Sequence, residues 1–215
     1  MAPQTSEILN VLASDPVMRR IVERIGPARI ARHRDRFGAL VRAIVYQQLS
    51  GKAAGTIHRR FVEACADGRR AGRGPRPEEI LRTSLAALRS AGLSRQKSAY
   101  LKDLAGRTSD GRLPLARLGR MDDDAVIKTL TAVKGIGRWT AEMFLIFSLG
   151  RPDVWPADDL GLRKGVMKAY RLKNLPTPRE TMSRGDRFRP HRSVATWYFW
   201  QSLAPDEPVD PLNAK

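Results

Sequence analysis

Val133-Lys134-Gly135-Ile136-Gly137 interrupts what otherwise reads as one helical pattern from residue 122 to residue 149. Two glycines two apart let the backbone take positive φ and approach another backbone closely. The helix ending near Val133 and the one beginning near Trp139 are therefore joined by a very tight turn. Asp122, Asp123 and Asp124 stand at the start of the first helix, where negative charge complements the macrodipole. The amides of the turn and of the second helix's first residues point outward, which suits a phosphate and needs no particular base. Lys134 and Arg138 flank them with positive charge. A plain helix C-cap would also show glycine, so this stretch alone reads equally as a chain reversal or as a DNA contact.

Apolar residues recur at helical spacing over most of the remaining chain, at 6–25 with a break at Asp15-Pro16, 39–48, 55–66, 78–83, 85–91, 94–105, 159–170 and 193–203. Residues 152–156 read as extended, and 67–77 (DGRRAGRGPRP) as a solvated cationic loop. No alternating apolar run carries a hairpin turn. The expected fold is all-α: one helical domain over 1–205, its hairpin at 124–149, and a Pro- and acid-rich tail at 206–215 without order.

Charge and cysteine content narrow the function classes. With 39 Lys and Arg against 22 Asp and Glu, the formal charge is +17, which favours a polyanionic partner; an unspecialised basic surface is the alternative. Cys65 is the single cysteine, so an intrachain disulfide, a cysteine zinc finger and an iron–sulfur cluster are excluded. His33, His58 and His191 make no metal-ligand spacing. Neither a secretory signal nor an apolar run of membrane-spanning length is present, so a cytoplasmic, nucleoid-associated protein is expected.

VKGIGRWTAEMFLIF followed by PADDLGLRKG, together with AIVYQQLSGKAA, GLSRQKSAYL and RPHRSVATWYFW, resembles the helix–hairpin–helix DNA glycosylase superfamily. Within it the pattern is most similar to the bacterial 3-methyladenine DNA glycosylase II type, in a short form lacking the β-rich N-terminal domain. The likeness runs over residues 36–204. It implies two helical lobes with the active site in the cleft between them, double-stranded DNA carrying alkylated bases as partner, no membrane, and a monomer. It also implies a hairpin, Lys134, Gly135, Ile136, Gly137 and Arg138, that holds DNA phosphate. Carbonyls of Thr131, Val133 and Ile136 would bind a monovalent cation, Na+ or K+, bridging to that phosphate; no further cofactor is required.

The resemblance also distributes the chemistry. Breaking an N-glycosidic bond passes through an oxocarbenium-like state that a carboxylate stabilises. The family's P-x-D-D pattern puts that carboxylate second, at Asp159, leaving Asp158 as an N-cap or loop anchor. Two residues after the last hairpin glycine, members that also cut the backbone carry a lysine nucleophile. Here Trp139 stands there, implying hydrolysis by water without AP-lyase activity. Trp139, Met143 one turn on, and Trp200 would line a pocket attractive to cationic purines such as 3-methyladenine and 7-methylguanine, with Trp197 and Tyr198 in the core. Gln48, with Gln47 beside it, falls at the position that fills the gap when a base leaves the duplex; both could equally cap the preceding helix. Two other readings stay open: a non-catalytic helix–hairpin–helix DNA-binding module, and a glycosylase for another lesion such as deaminated bases.

Overall fold

The computed structural model describes residues 6–49, 51–66 and 74–204. Among these the regular structure is helical throughout, without a strand. Twelve α-helices follow in order: α1 Ser6–Ala13, α2 Pro16–Ile25, α3 Arg36–Tyr46, α4 Gly51–Cys65, α5 Pro77–Arg82, α6 Leu85–Ser90, α7 Arg95–Ser109, α8 Asp123–Thr131, α9 Arg138–Phe144, α10 Leu160–Ala169, α11 Pro178–Gly185 and α12 Arg192–Gln201. The expected tail at 206–215 and most of the cationic loop, 67–73, lie outside the described residues.

Most of the boundaries have a local cause. Asp15, Asp35, Ser84, Ser94, Asp122, Asp159 and Thr177 each accept a backbone N–H of the turn that follows, so seven helices open on an N-cap. Pro16, Pro77 and Pro178 occupy first positions, where a missing N–H costs nothing. Three expectations shift. α3 opens at Arg36, because Asp35 caps it, and stops at Tyr46, so Gln47 and Gln48 stand in a turn. α4 opens at Gly51 instead of 55. α11 lies where periodicity gives no helix, although Thr177-Pro178-Arg179-Glu180 carries a complete capping box.

The chain divides into two compact units. In one, comprising 6–32 and 145–204 of the described residues, α12 packs against α2 and α10. Its core joins Leu12, Met18 and Ile21 to Leu162, Val166, Phe188, Tyr198 and Phe199. In the other, His33–Phe144, α7 packs against α3, α5 and α6, and the hairpin pair α8 and α9 pack on each other. Leu40, Ile44, Phe61, Ile80, Leu88, Leu101, Leu104 and Leu130 are fully buried there. Each such side chain contributes about 1.5–3 kcal/mol on leaving water, so both units have the apolar content to hold their elements in place.

Candidate active site

Gln47, Gln48, the hairpin residues, Trp139 and Met143 fall in His33–Phe144, and Asp159 and Trp200 in the other unit. In His33–Phe144, α8 ends at Thr131 and α9 starts at Arg138, so six residues make the hairpin turn. Val133 accepts the N–H of Ile136 at 3.1 Å, which closes the turn, and both side chains are buried. Gly135 has φ 83°, and a Cβ there would fall inside the Tyr100 ring. Gly137 differs from the expectation: its φ is not positive and a Cβ would meet nothing within 4 Å. Its carbonyl accepts Ala141 N–H at 3.1 Å, so its place is the N-terminal end of α9. Lys134 and Arg138 are exposed, and Arg138 Nε pairs with the buried carboxylate of Glu142 at 3.0 Å.

The carbonyls of Thr131 and Val133 stand at and just past the C-terminal end of α8, where the helix dipole leaves partial negative charge. Carbonyl oxygens in that position fit a hard monovalent cation, and Ile136 lies in the same turn. Among the described residues, no group of three or more His, Cys, Asp or Glu is placed to hold a metal ion.

Trp139, in the first turn of α9, is 40% exposed, unusual for so large an apolar side chain. Met143, one turn on, is fully buried and belongs to the packed interior, so the two do not share one accessible surface. Gln47 donates from Nε2 to the Gly135 carbonyl at 2.7 Å. Gln48 is exposed and has φ 57°, a left-handed conformation uncommon for a residue with a Cβ. Neither glutamine caps α3 with its side chain; the carbonyls of Val45 and Gln47 instead accept from Lys97 Nζ at 2.7 and 2.6 Å. Lys97 has no part in the sequence expectations, although GLSRQKSAYL contains it.

The other unit holds Asp159 and Trp200. Asp159 is itself the N-cap of α10: its Oδ1 accepts Leu162 N–H and, at 2.7 Å, the indole Nε1–H of Trp200. Of the two roles expected of Asp158, N-cap or loop anchor, the cap falls to Asp159 instead, since Asp158 is exposed and one residue too early for the helix. Trp200 stacks on Phe147 with ring centroids 6.1 Å apart and is only 6% exposed. Trp197 and Tyr198 are buried, as expected of core residues.

Two glycines one helical turn apart explain why Trp200 reaches Asp159. A Cβ on Gly165 would stand 2.6 Å from the Phe199 carbonyl, and one on Gly161 would stand 3.1 Å from Trp200 Cδ1. α12 therefore lies against the backbone of α10. The segment before Asp159 is fixed from the same helix. Ser193 Oγ donates to Arg151 O at 2.7 Å and accepts Val154 N–H at 2.9 Å. Arg192 grips Asp153 through two nitrogens at 2.7 and 2.9 Å, a bidentate pair. These supports were not foreseen, though RPHRS and LGLRKG both carry them.

Residues 41–190 match the HhH-GPD superfamily of base excision DNA repair proteins. A relative from Schizosaccharomyces pombe, DNA-3-methyladenine glycosylase 1, is 35% identical over 98% of this chain and 92% of its own length. Among solved structures, the 3-methyladenine DNA glycosylase of S. pombe in complex with abasic DNA superposes with a TM-score of 0.79 at 36% identity, covering 92% of this chain and 96% of that one. A DNA-3-methyladenine glycosidase from Bacillus halodurans gives 0.83 at 33% identity, over 98% and 95%. No described helix is long and apolar enough to cross a membrane.

Proposed function

The chain belongs to the HhH-GPD superfamily of base excision DNA repair proteins, and from that premise we infer that it is a DNA-3-methyladenine-type glycosylase that hydrolyses the N-glycosidic bond of alkylated purines in duplex DNA. The observation that supports the chemistry most is the carboxylate of Asp159, held in one orientation by the Leu162 amide and the Trp200 indole. As the bond to the base lengthens, positive charge grows on the sugar, and a fixed carboxylate offsets it without having to reorganise. Water completes the reaction at the sugar carbon, because Trp139 offers no amine for a Schiff base. Abasic DNA is then the product, with the strand intact.

The exposed Trp139 face suits a cationic purine, an attraction of about 0.5–2 kcal/mol that a neutral base does not feel. Alkylation at N3 or N7 also makes the base a better leaving group, so holding it matters more than protonating it. Trp200, nearly buried, acts by orienting Asp159. Gln48 fills the vacated stack and the hairpin residues 134–138 take a phosphate. When bound, Na+ or K+ at the carbonyls of Thr131, Val133 and Ile136 would add positive charge beside that phosphate.

The test is incubation with duplex DNA alkylated at purines, followed by chromatography of the free bases and gels with and without alkali. Free 3-methyladenine or 7-methylguanine, with strand breaks only after alkali, is the expected result. Breaks before alkali, or an adduct trapped by borohydride, would overturn the hydrolytic reading; no free base at all would overturn the glycosylase reading.

A further inference from the structure

One face of α7 touches both turns of its unit that the proposed function sets against DNA. Residues 97, 100 and 103 follow at intervals of three, so they lie along one side of the helix. Lys97 Nζ donates to Val45 O and Gln47 O, closing the end of α3 and the start of the turn that carries Gln48. Tyr100 packs over Gly135, in the space where any other residue would place its Cβ, and its hydroxyl takes a hydrogen bond from Gln96. Asp103 accepts the Lys134 amide at 2.9 Å and is braced by Arg107 at 2.9 Å. Gln47 then ties the two turns directly, through Nε2 and the Gly135 carbonyl at 2.7 Å.

We propose that α7 is a coupling element and Lys97 a positioning residue: it sets where Gln48 stands relative to the phosphate-holding hairpin, and so governs extrusion of the base from duplex DNA. This rests on the function proposed above. The left-handed backbone at Gln48 gives the reason such a device is needed. A non-glycine residue at φ 57° persists only where its surroundings fix it. The two carbonyl contacts from Lys97 and the side-chain tie of Gln47 supply that fixing on the N-terminal side of Gln48. A lysine suits the job because a compact ammonium can donate to two carbonyls at once. Burial lowers its pKa, the cost of placing that charge where it reaches both.

The consequence is a residue that acts on duplex opening and leaves bond cleavage untouched. Lys97→Met keeps the length of the side chain and removes its donors. Base release from a paired alkylated lesion should fall about tenfold or more, the scale expected when a contacting group moves by a fraction of an ångström. Release of the same lesion from a single-stranded oligonucleotide should stay within about twofold, since no base has to be unpaired. Lys97→Arg, which retains donors for both carbonyls, should recover most of the loss.

Hydrogen–deuterium exchange gives a readout independent of catalysis. In Lys97→Met, amides 47–49 and 134–136 should exchange faster together, with α8 unchanged. Exchange that rises at 47–49 alone would overturn the coupling. Equal losses on paired and single-stranded lesions would overturn the positioning role. If wild-type protein releases no base, the proposed function fails, and the extrusion role with it, while the exchange pattern still decides whether the turns are tied.

Discussion

Trp139 and Trp200 carry the same side chain in opposite settings, and their variants should part accordingly. Trp139 is 40% exposed and, in the proposed function, attracts a charged base; Trp200 is 6% exposed and donates to Asp159. Trp139→Ala should slow release of cationic alkylpurines more than of neutral bases such as hypoxanthine, by about 1–2 kcal/mol in kcat/KM; equal losses would mean that Trp139 acts by shape. Trp200→Phe keeps an aromatic ring next to Phe147 but loses the indole N–H, and should lower kcat on both kinds of lesion alike. Asp15 gives stability an acid-dependent contribution of its own. Burial pushes its carboxyl up, but the Met18 amide, Arg187, the Tyr170 hydroxyl and the Val17 amide outweigh that and hold it below its ordinary 3.8. A carboxyl lowered on folding stabilises the protein above its unfolded pKa, and the contribution is lost as pH falls through the folded value. Asp15→Ala should therefore cost about 2 kcal/mol at pH 7, a gap that narrows as melts are repeated from about pH 4 downward.

At the level of elements, the glycines separate structural from functional turns. Gly135→Ala has to adopt φ 83° and displace the Tyr100 ring, and should lower stability by about 2 kcal/mol or more. Gly137→Val meets open space, and thermal melts should move by less than about 1 kcal/mol; DNA affinity should nonetheless drop, because the new side chain stands where a phosphate would approach. Comparable stability losses at both positions would contradict this division. Gly165→Ala should push α12 from α10 and reduce both stability and base release. Helix starts were legible because caps are local: Asp15-Pro16, Ser94, Asp122 and the carboxylate pair before Leu160 are all readable without a partner. The box at Thr177 was equally local, although the apolar spacing around it is too sparse to mark a helix. What the sequence hid depends on residues far along the chain. α3 ends where Lys97 reaches back to it, fifty residues away in sequence from Gln47, and Gly161 and Gly165 show their purpose only with α12 against them. Asp159 itself illustrates both cases: its position and a cap within the Asp158-Asp159 pair were readable from the motif, but its acceptance of the Trp200 indole was not.

For the molecule as a whole, +17 charges and a hairpin that reads no base predict affinity for undamaged duplex that falls steeply with salt and depends little on sequence. A salt-independent affinity would remove the electrostatic contribution from recognition. In the proposed reading, selectivity for damage comes from Trp139 and from extrusion, and rate from Asp159. The most direct measurement is single-turnover base release from alkylated duplex by wild-type protein, Asp159→Asn and Asp158→Asn, with DNA affinity and melting recorded for each. Asparagine is as good an N-cap as aspartate and can still accept the Trp200 indole, so Asp159→Asn should fold and bind DNA. It should nevertheless release base at least about 100-fold more slowly, because an amide carries no charge to offset the oxocarbenium, while Asp158→Asn stays near wild type. An active Asp159→Asn, or an inactive Asp158→Asn with Asp159→Asn unimpaired, would contradict the assignment of Asp159 as the catalytic carboxylate.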